Sequence, residues 1–225
     1  NPKDANPLDS LGEAYFFMGR LDEAIAKYKE ALAVKPDFLT SNYCIAYISA
    51  LKENPAEAMA WLEKFIAEAP NAGLKGAGAA FKGFYQCWLG SLDKGLNTLK
   101  DAEEMLGSVG DNASIAALNV SKGFLNLYKG EFDLARKFAK SWHDIGLNSR
   151  PDREAYYRTG YLGILGFVEL GEGKMSSART RAAEMTSLLP DVIHARREWL
   201  TFVANLLQAE ILLAEGSADK AIQLF

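Results

Sequence analysis

The sequence predicts an all-α chain of repeated helical hairpins, and three observations carry the prediction. First, a small residue recurs just past a Gly-containing or polar turn, at Ala24, Ala58, Gly95, Ala135, Ala178 and Ala221. Second, each has a small partner twelve residues earlier, at Gly12, Ala46, Gly83, Gly123, Gly166 and Ala209. Two helices joined by a short turn need small residues at such matched places if their backbones are to approach closely. Third, Pro36, Pro70 and Pro190 stand where second helices should end, while Pro7, Pro55 and Pro151 stand near helix starts, where a missing amide hydrogen matters least. The interval between copies is 34 residues from Ala24 to Ala58, 37 from Ala58 to Gly95, and 43 both from Ala135 to Ala178 and from Ala178 to Ala221. The later copies have lengthened.

Taken in order, the pattern predicts helices over 8–18 with 21–34, 39–52 with 55–68, 74–89 with 92–106, 113–129 with 131–145, 152–171 with 174–188, and 191–215 with 218–225. Arg20-Leu21-Asp22-Glu23 leads into Ala24 and puts acids in the first turn of the second helix, where the helix dipole favours them. Ser91-Leu92-Asp93-Lys94-Gly95-Leu96 copies that run with Gly95 in the small position. Lys129-Gly130-Glu131-Phe132-Asp133-Leu134-Ala135 is a fourth copy, the run from Gly171 to Ala178 a fifth, and the run from Glu215 to Ala221 opens a sixth. Gly19, Gly90, Gly130, Gly171 and Gly216 are assigned to the hairpin turns. Gly73, Gly76 and Gly78 make 71–78 the weakest place, because each Gly inside a helix costs about 1 kcal/mol; a loop or hinge is the alternative to helix there. No strand is expected.

Leu8, Leu11, Gly12, Tyr15, Ala24, Tyr28, Ala31 and Pro36 fall at the offsets of the pattern W-x2-L-G-x2-Y…A-x3-F…P. In these residues the chain resembles the tetratricopeptide repeat family. The resemblance is strongest over 8–38 and extends over essentially the whole chain. It implies a right-handed α-α solenoid of about six such hairpins in one superhelical domain spanning 1–225, with repeats near 5–38, 39–72, 74–108, 113–147, 152–190 and a truncated 191–225. A hairpin of this kind cannot bury its apolar face alone, so neighbours stack and jointly present a curved surface. The family role is non-enzymatic protein interaction. The chain reads as a fragment, since it opens on Asn1 rather than Met and stops at Phe225 partway through a second helix.

Composition narrows the function further. Net charge of −4 divides as −5 over residues 1–112 and +1 over 113–225, which gives no broad basic footprint for nucleic acid. No run approaches the roughly 18 apolar residues of a membrane span. Cys44 and Cys87, the two cysteines, fall inside predicted first helices, where free cysteines act as small buried hydrophobes; a cytoplasmic location is expected on that usage. His143 and His194 are far apart and lack clustered partners, so no metal site, cofactor or catalytic constellation is expected. Gly171-Glu172-Gly173-Lys174 lacks the spacer and the following Ser or Thr of a phosphate loop.

An aromatic stripe rises above this background. The residue after each small first-helix position is Glu13, Tyr47, Phe84, Phe124, Phe167 or Glu210, and four residues on, on the same helical face, stand Phe17, Leu51, Trp88, Tyr128, Gly171 and Ala214. Tyr43 lies one turn before Tyr47. By the resemblance this face lines a concave groove, so Tyr43, Tyr47, Phe84, Trp88, Phe124, Tyr128 and Phe167 are the candidate partner-binding residues, with Asp9 and Glu13 at one end and Glu210 at the other. The same residues would serve equally as packing between helices. The Lys/Asn clamp with which some relatives grip chaperone tails is missing: the corresponding places hold Asn6, Ser10, Thr40, Cys44, Ala77 and Phe81. Basic residues gather instead at Arg150, Arg153 and Arg158 and at His194, Arg196 and Arg197. The expected partner is a protein or peptide segment, apolar and extended or helical, not nucleic acid. The rival is a ligand-sensing regulatory domain of a multidomain bacterial signalling protein or transcriptional regulator, with a small molecule stacked on the aromatics.

Overall fold

The computed structural model describes residues 4–225, and among these twelve α-helices and two single 3-10 turns make up the regular structure, with no strand. The chain divides between Asp111 and Asn112 into two compact units. The first holds α1 (Asn6–Phe17), α2 (Leu21–Val34), α3 (Leu39–Leu51), α4 (Pro55–Glu68), α5 (Ala72–Trp88) and α6 (Leu92–Ser108). The second holds α7 (Asn112–Tyr128), α8 (Phe132–Ser149), α9 (Glu154–Gly171), α10 (Met175–Leu188), α11 (His194–Ala214) and α12 (Ala218–Ile222). Single 3-10 turns at Pro151–Arg153 and Leu189–Asp191 precede α9 and α11, so these helices begin two or three residues later than the sequence pattern suggests. Helix α12 likewise ends at Ile222.

Every small position predicted for the second helices is buried: Ala24, Ala58, Ala135 and Ala178 are fully inaccessible, and Gly95 and Ala221 nearly so. Their first-helix partners Gly12, Ala46, Gly83, Gly123, Gly166 and Ala209 are buried too. These pairs form a seam inside each hairpin. Larger side chains then lock hairpin to hairpin. In the first unit Tyr28, Leu32, Ile45 and Ile48 join α2 to α3, and Ala50, Leu62 and Tyr85 join α3, α4 and α5. In the second, Ile164 and Val168 pack on Ala135 and Ala139, and Met185, Val203 and Leu207 tie α10 to α11.

The hairpin turns share one hydrogen-bond pattern. Arg20 N–H donates to the Tyr15 carbonyl at 2.9 Å, and Ser91 to Gln86, Glu131 to Asn126, Lys174 to Glu169 and Ser217 to Leu212 repeat it. This is the six-to-one bond of a Schellman ending, which needs a left-handed residue one place earlier. Gly19, Gly90, Gly130, Gly173 and Gly216 supply it. Gly171 was the expected turn residue of the fifth hairpin; it is instead the last residue of α9, where a Cβ would come within 2.8 Å of the Phe132 ring, and Gly173 makes the turn with φ of 76°. The second hairpin has no turn glycine: Glu53 takes φ of 57°, and Asn54 N–H closes the same bond to Ser49 at 2.9 Å.

Of the two alternatives at 71–78, loop or helix, the chain takes helix from Ala72 on. Asn71 caps α5, its side-chain oxygen accepting from Leu74 N–H at 2.9 Å, and the helix runs unbroken through Gly73, Gly76 and Gly78. Packing overrides the propensity cost. A Cβ at Gly76 would lie 2.8 Å from Leu106, and one at Gly78 would lie 2.5 Å from the Phe65 ring, so these glycines admit neighbouring side chains that anything larger would exclude.

Candidate functional site

The seam residue of each first helix faces its own second helix, so the residue one place on is turned about 100° away, toward the open side of the hairpin stack. Positions four and five places on share that side. In the second unit this rule assembles a concave site. Phe124, Leu127 and Tyr128 from α7, Phe167, Leu170 and Gly171 from α9, and Val203, Leu206 and Glu210 from α11 line one open pocket of about 310 Å³. Three of the sequence-predicted residues, Phe124, Tyr128 and Phe167, meet in it. Their roles differ: Phe124 and Phe167 are half-buried and pack against the cores of their own hairpins, whereas Tyr128 is 84% exposed.

Leu127, Leu170, Val203 and Leu206 are pocket residues that a search for aromatics passes over. Leu127 and Leu170 stand four places after the seam glycines Gly123 and Gly166, so the spacing rule alone would have found them. Val203 and Leu206 stand six and three before Ala209. Gly171 lines the pocket with its backbone, the place of its Cβ being taken by the Phe132 ring.

In the first unit the predicted aromatics are split between packing and surface. Tyr43 on α3 stacks on Phe81 of α5 with ring centroids 4.2 Å apart, and Tyr47 meets the edge of Phe16 at 5.8 Å. Phe84 is 44% and Trp88 53% exposed, and Phe17 on α1 is 77% exposed. Tyr43 and Tyr47, with Glu13, Phe16 and Phe17, border a smaller pocket of about 210 Å³ whose floor includes Tyr28 and Cys44. Burial pushes the pKa of the Tyr28 hydroxyl and of the Cys44 thiol above their ordinary ranges, so both stay neutral.

Two of the basic residues near the starts of α9 and α11, Arg150 and Arg197, hold those ends. Arg150 binds Asp152 through two hydrogen bonds at 3.0 and 2.8 Å. Arg197 donates to the carbonyls of Pro190 and Val192, both at 2.8 Å, and so fastens the 3-10 turn to the first turn of α11. Among the described residues no helix is long and apolar enough to cross a membrane, and no three His, Cys, Asp or Glu side chains converge as metal ligands would.

A family model described as TPR repeat matches residues 12–53, the stretch that carries the Gly12–Ala24 seam, the first turn and helix α3. Over those residues the chain is similar to the tetratricopeptide repeat family. Solved structures extend the likeness of fold to the whole chain. A tetratricopeptide repeat protein from Parabacteroides merdae superposes with a TM-score of 0.71 at 16% identity, over 100% of this chain and 77% of that one. PilW, a widely conserved type IV pilus biogenesis factor, gives 0.67 at 18% identity over 98% of this chain and 90% of its own. The Cut9–Hcn1 hetero-tetramer of the APC/C gives 0.62 at 13% identity, over 100% of this chain and 42% of that one. No curated protein is significantly similar in sequence. The fold is thus that of tetratricopeptide structures, and the twelve helices of the described residues correspond to six hairpins, three in each unit.

Proposed function

We propose that this chain is a non-enzymatic interaction scaffold that binds a peptide or helical segment of another protein on the open side of its first helices. The observation that carries the reading is the pocket of α7, α9 and α11: eight of its nine lining residues are apolar or glycine, and it is open to solvent. Exposed apolar concavities of this kind mark interaction sites, and laying an apolar segment into a helical groove is a recurrent recognition mode. The fold supports the same reading, since tetratricopeptide solenoids generally act as protein-interaction scaffolds and a hetero-tetramer stands among the structures similar to this one. Tyr128 with Phe124 and Phe167 would anchor the segment here, and Tyr43, Tyr47, Phe84 and Trp88 would contribute in the first unit.

The test is selection of a displayed library of random peptides of about twelve residues on the immobilised protein. Binders are then titrated against wild type, Tyr128→Ala and Leu206→Ala by calorimetry, with circular dichroism as the folding control. Each substitution should weaken binding by about 2 kcal/mol, because hot spots concentrate in central anchors. Lys27→Ala, on the outer side, should leave it unchanged. Selected peptides indifferent to both pocket substitutions would refute the reading.

A further inference from the structure

The single charge in the α7–α9–α11 pocket is the carboxylate of Glu210, exposed at its rim. Three other carboxylates of the same unit are neutralised: Glu169 by Arg181 at 3.4 Å, Glu172 by Arg136 and by Lys174 at 2.9 Å, and Glu215 by Arg179. Glu210 has no such partner among the described residues. The first unit repeats the arrangement. Glu13 occupies the same place relative to its seam residue, borders a pocket whose walls include Phe16, Phe17, Tyr43 and Tyr47 over the floor of Tyr28 and Cys44, and is also without a cationic partner among the described residues.

An apolar pocket with one unneutralised carboxylate constrains what fills it. A leucine or phenylalanine would satisfy the walls but strip water from the carboxylate and leave it unpaired, an expensive outcome. An acidic side chain would be repelled. A long aliphatic stem ending in a cation meets both demands, the stem lying on apolar wall and the head staying at the wet rim beside the acid. Aromatic faces nearby reinforce the choice, since a cation over a tyrosine ring is attracted by its quadrupole.

We propose that the segment bound in this pocket is anchored by a lysine or arginine side chain, its methylene stem packed on Leu170 and Leu206 and its charged head held by Glu210 beside Tyr128. The inference rests on the scaffold reading above and specifies the chemistry of the partner: an apolar segment carrying one inserted basic residue. The pocket bordered by Glu13 has the same preference.

The probe is the same displayed peptide library, applied in parallel to wild type and Glu210→Lys. Wild type should enrich Lys or Arg at one fixed position flanked by apolar residues, and Glu210→Lys should enrich Asp or Glu there. For a selected peptide, Glu210→Gln should weaken binding roughly tenfold, as should replacing its basic residue by norleucine (for Lys) or citrulline (for Arg); the two changes together should cost little more than either alone, because they remove one contact. Glu210 is exposed, so the fold should be unaffected. If Tyr128→Ala weakens binding while Glu210→Gln does not, or weakens it for peptides in which no basic position is enriched, the cationic anchor is wrong and the groove reading stands. If no selected peptide responds to Tyr128→Ala, Leu206→Ala or Glu210→Gln, the groove reading fails and the anchor with it.

Discussion

Gly83 on α5 and Gly95 on α6 meet backbone to backbone: a Cβ on Gly95 would lie 2.6 Å from the Gly83 carbonyl oxygen and 2.2 Å from the Cys87 sulfur. Theirs is the one seam built of two glycines, since the other five pairs contain at least one alanine. The third hairpin has therefore been drawn tighter than a methyl group allows, and its two helices are each 17 residues long.

Gly95→Ala should destabilise the protein by about 1–3 kcal/mol. Overpacking against fixed backbone outweighs the gain of about 1 kcal/mol that alanine brings to a helix interior. Gly123→Ala should do the opposite, stabilising by about 0.5–1 kcal/mol, because the nearest atom to its Cβ is the flexible Cδ1 end of Ile164 at 3.3 Å. Urea midpoints of the two variants falling on the same side of wild type would contradict the seam geometry.

Tyr85 is 3% exposed, and its hydroxyl finds no hydrogen-bond partner. A buried polar group left unpaired costs on the order of 1–3 kcal/mol. Tyr85→Phe removes the oxygen and keeps the ring against Trp88, so its unfolding midpoint should rise. Tyr85→Ala should lose about 3–5 kcal/mol through the cavity it leaves. A fall in stability for the phenylalanine variant would mean that the hydroxyl is satisfied after all.

Glu172, which follows the end of α9, pairs with Arg136 of α8, and that hydrogen bond together with Lys174 lowers its carboxyl from the ordinary 4.5 to about 2. A group whose folded value lies below its unfolded value contributes stability that is fully present above pH 4.5 and lost as pH falls toward 2. Urea unfolding of wild type and Glu172→Gln across that window should show the wild-type advantage shrinking with acidity. A difference constant with pH would exclude the pair as its source.

Cys87 is buried and Cys44 partly so, and burial pushes both thiols above their ordinary range. Only the thiolate reacts readily. At neutral pH both should therefore react with a thiol reagent such as dithionitrobenzoate far more slowly than in urea-unfolded chain, with Cys87 the slower. Rapid labelling of Cys87 in the folded protein would show that the α5–α6 seam opens.

The repeat frame was readable because it depends on volume at matched positions, and volume is written directly in residue type. Ala24, Ala135 and Ala178 could be placed in the seam without coordinates. What failed to read were residues whose reason lies in a distant part of the chain. Gly76 and Gly78 look like helix breakers until Leu106 and Phe65 are seen occupying their missing side chains. In Gly171-Glu172-Gly173 either glycine could make the turn, and only the Phe132 ring against Gly171 decides. The candidate pocket was half legible. Phe124, Tyr128 and Phe167 stand out as aromatics, but Leu170 and Leu206 look like ordinary core until the open side of α9 and α11 is known. Tyr43 lies one turn before Tyr47, and nothing in the sequence says that it stacks on Phe81.

The turns carry a consequence of another kind. At Gly19, Gly90, Gly130, Gly173 and Gly216 a Cβ would meet no atom within 4 Å, yet every one has φ between 73° and 87°. Such a site is indifferent to bulk and sensitive only to handedness, since a side chain of natural configuration strains the backbone there, as Glu53 must. A mirror-image residue carries no such penalty. D-alanine introduced at Gly130 by chemical ligation should fit without displacing a neighbour and should stiffen the unfolded chain, adding about 0.4–1 kcal/mol of stability. L-alanine at the same atom positions should subtract. The hairpin seams of this fold thus select for size, whereas its turns select for chirality.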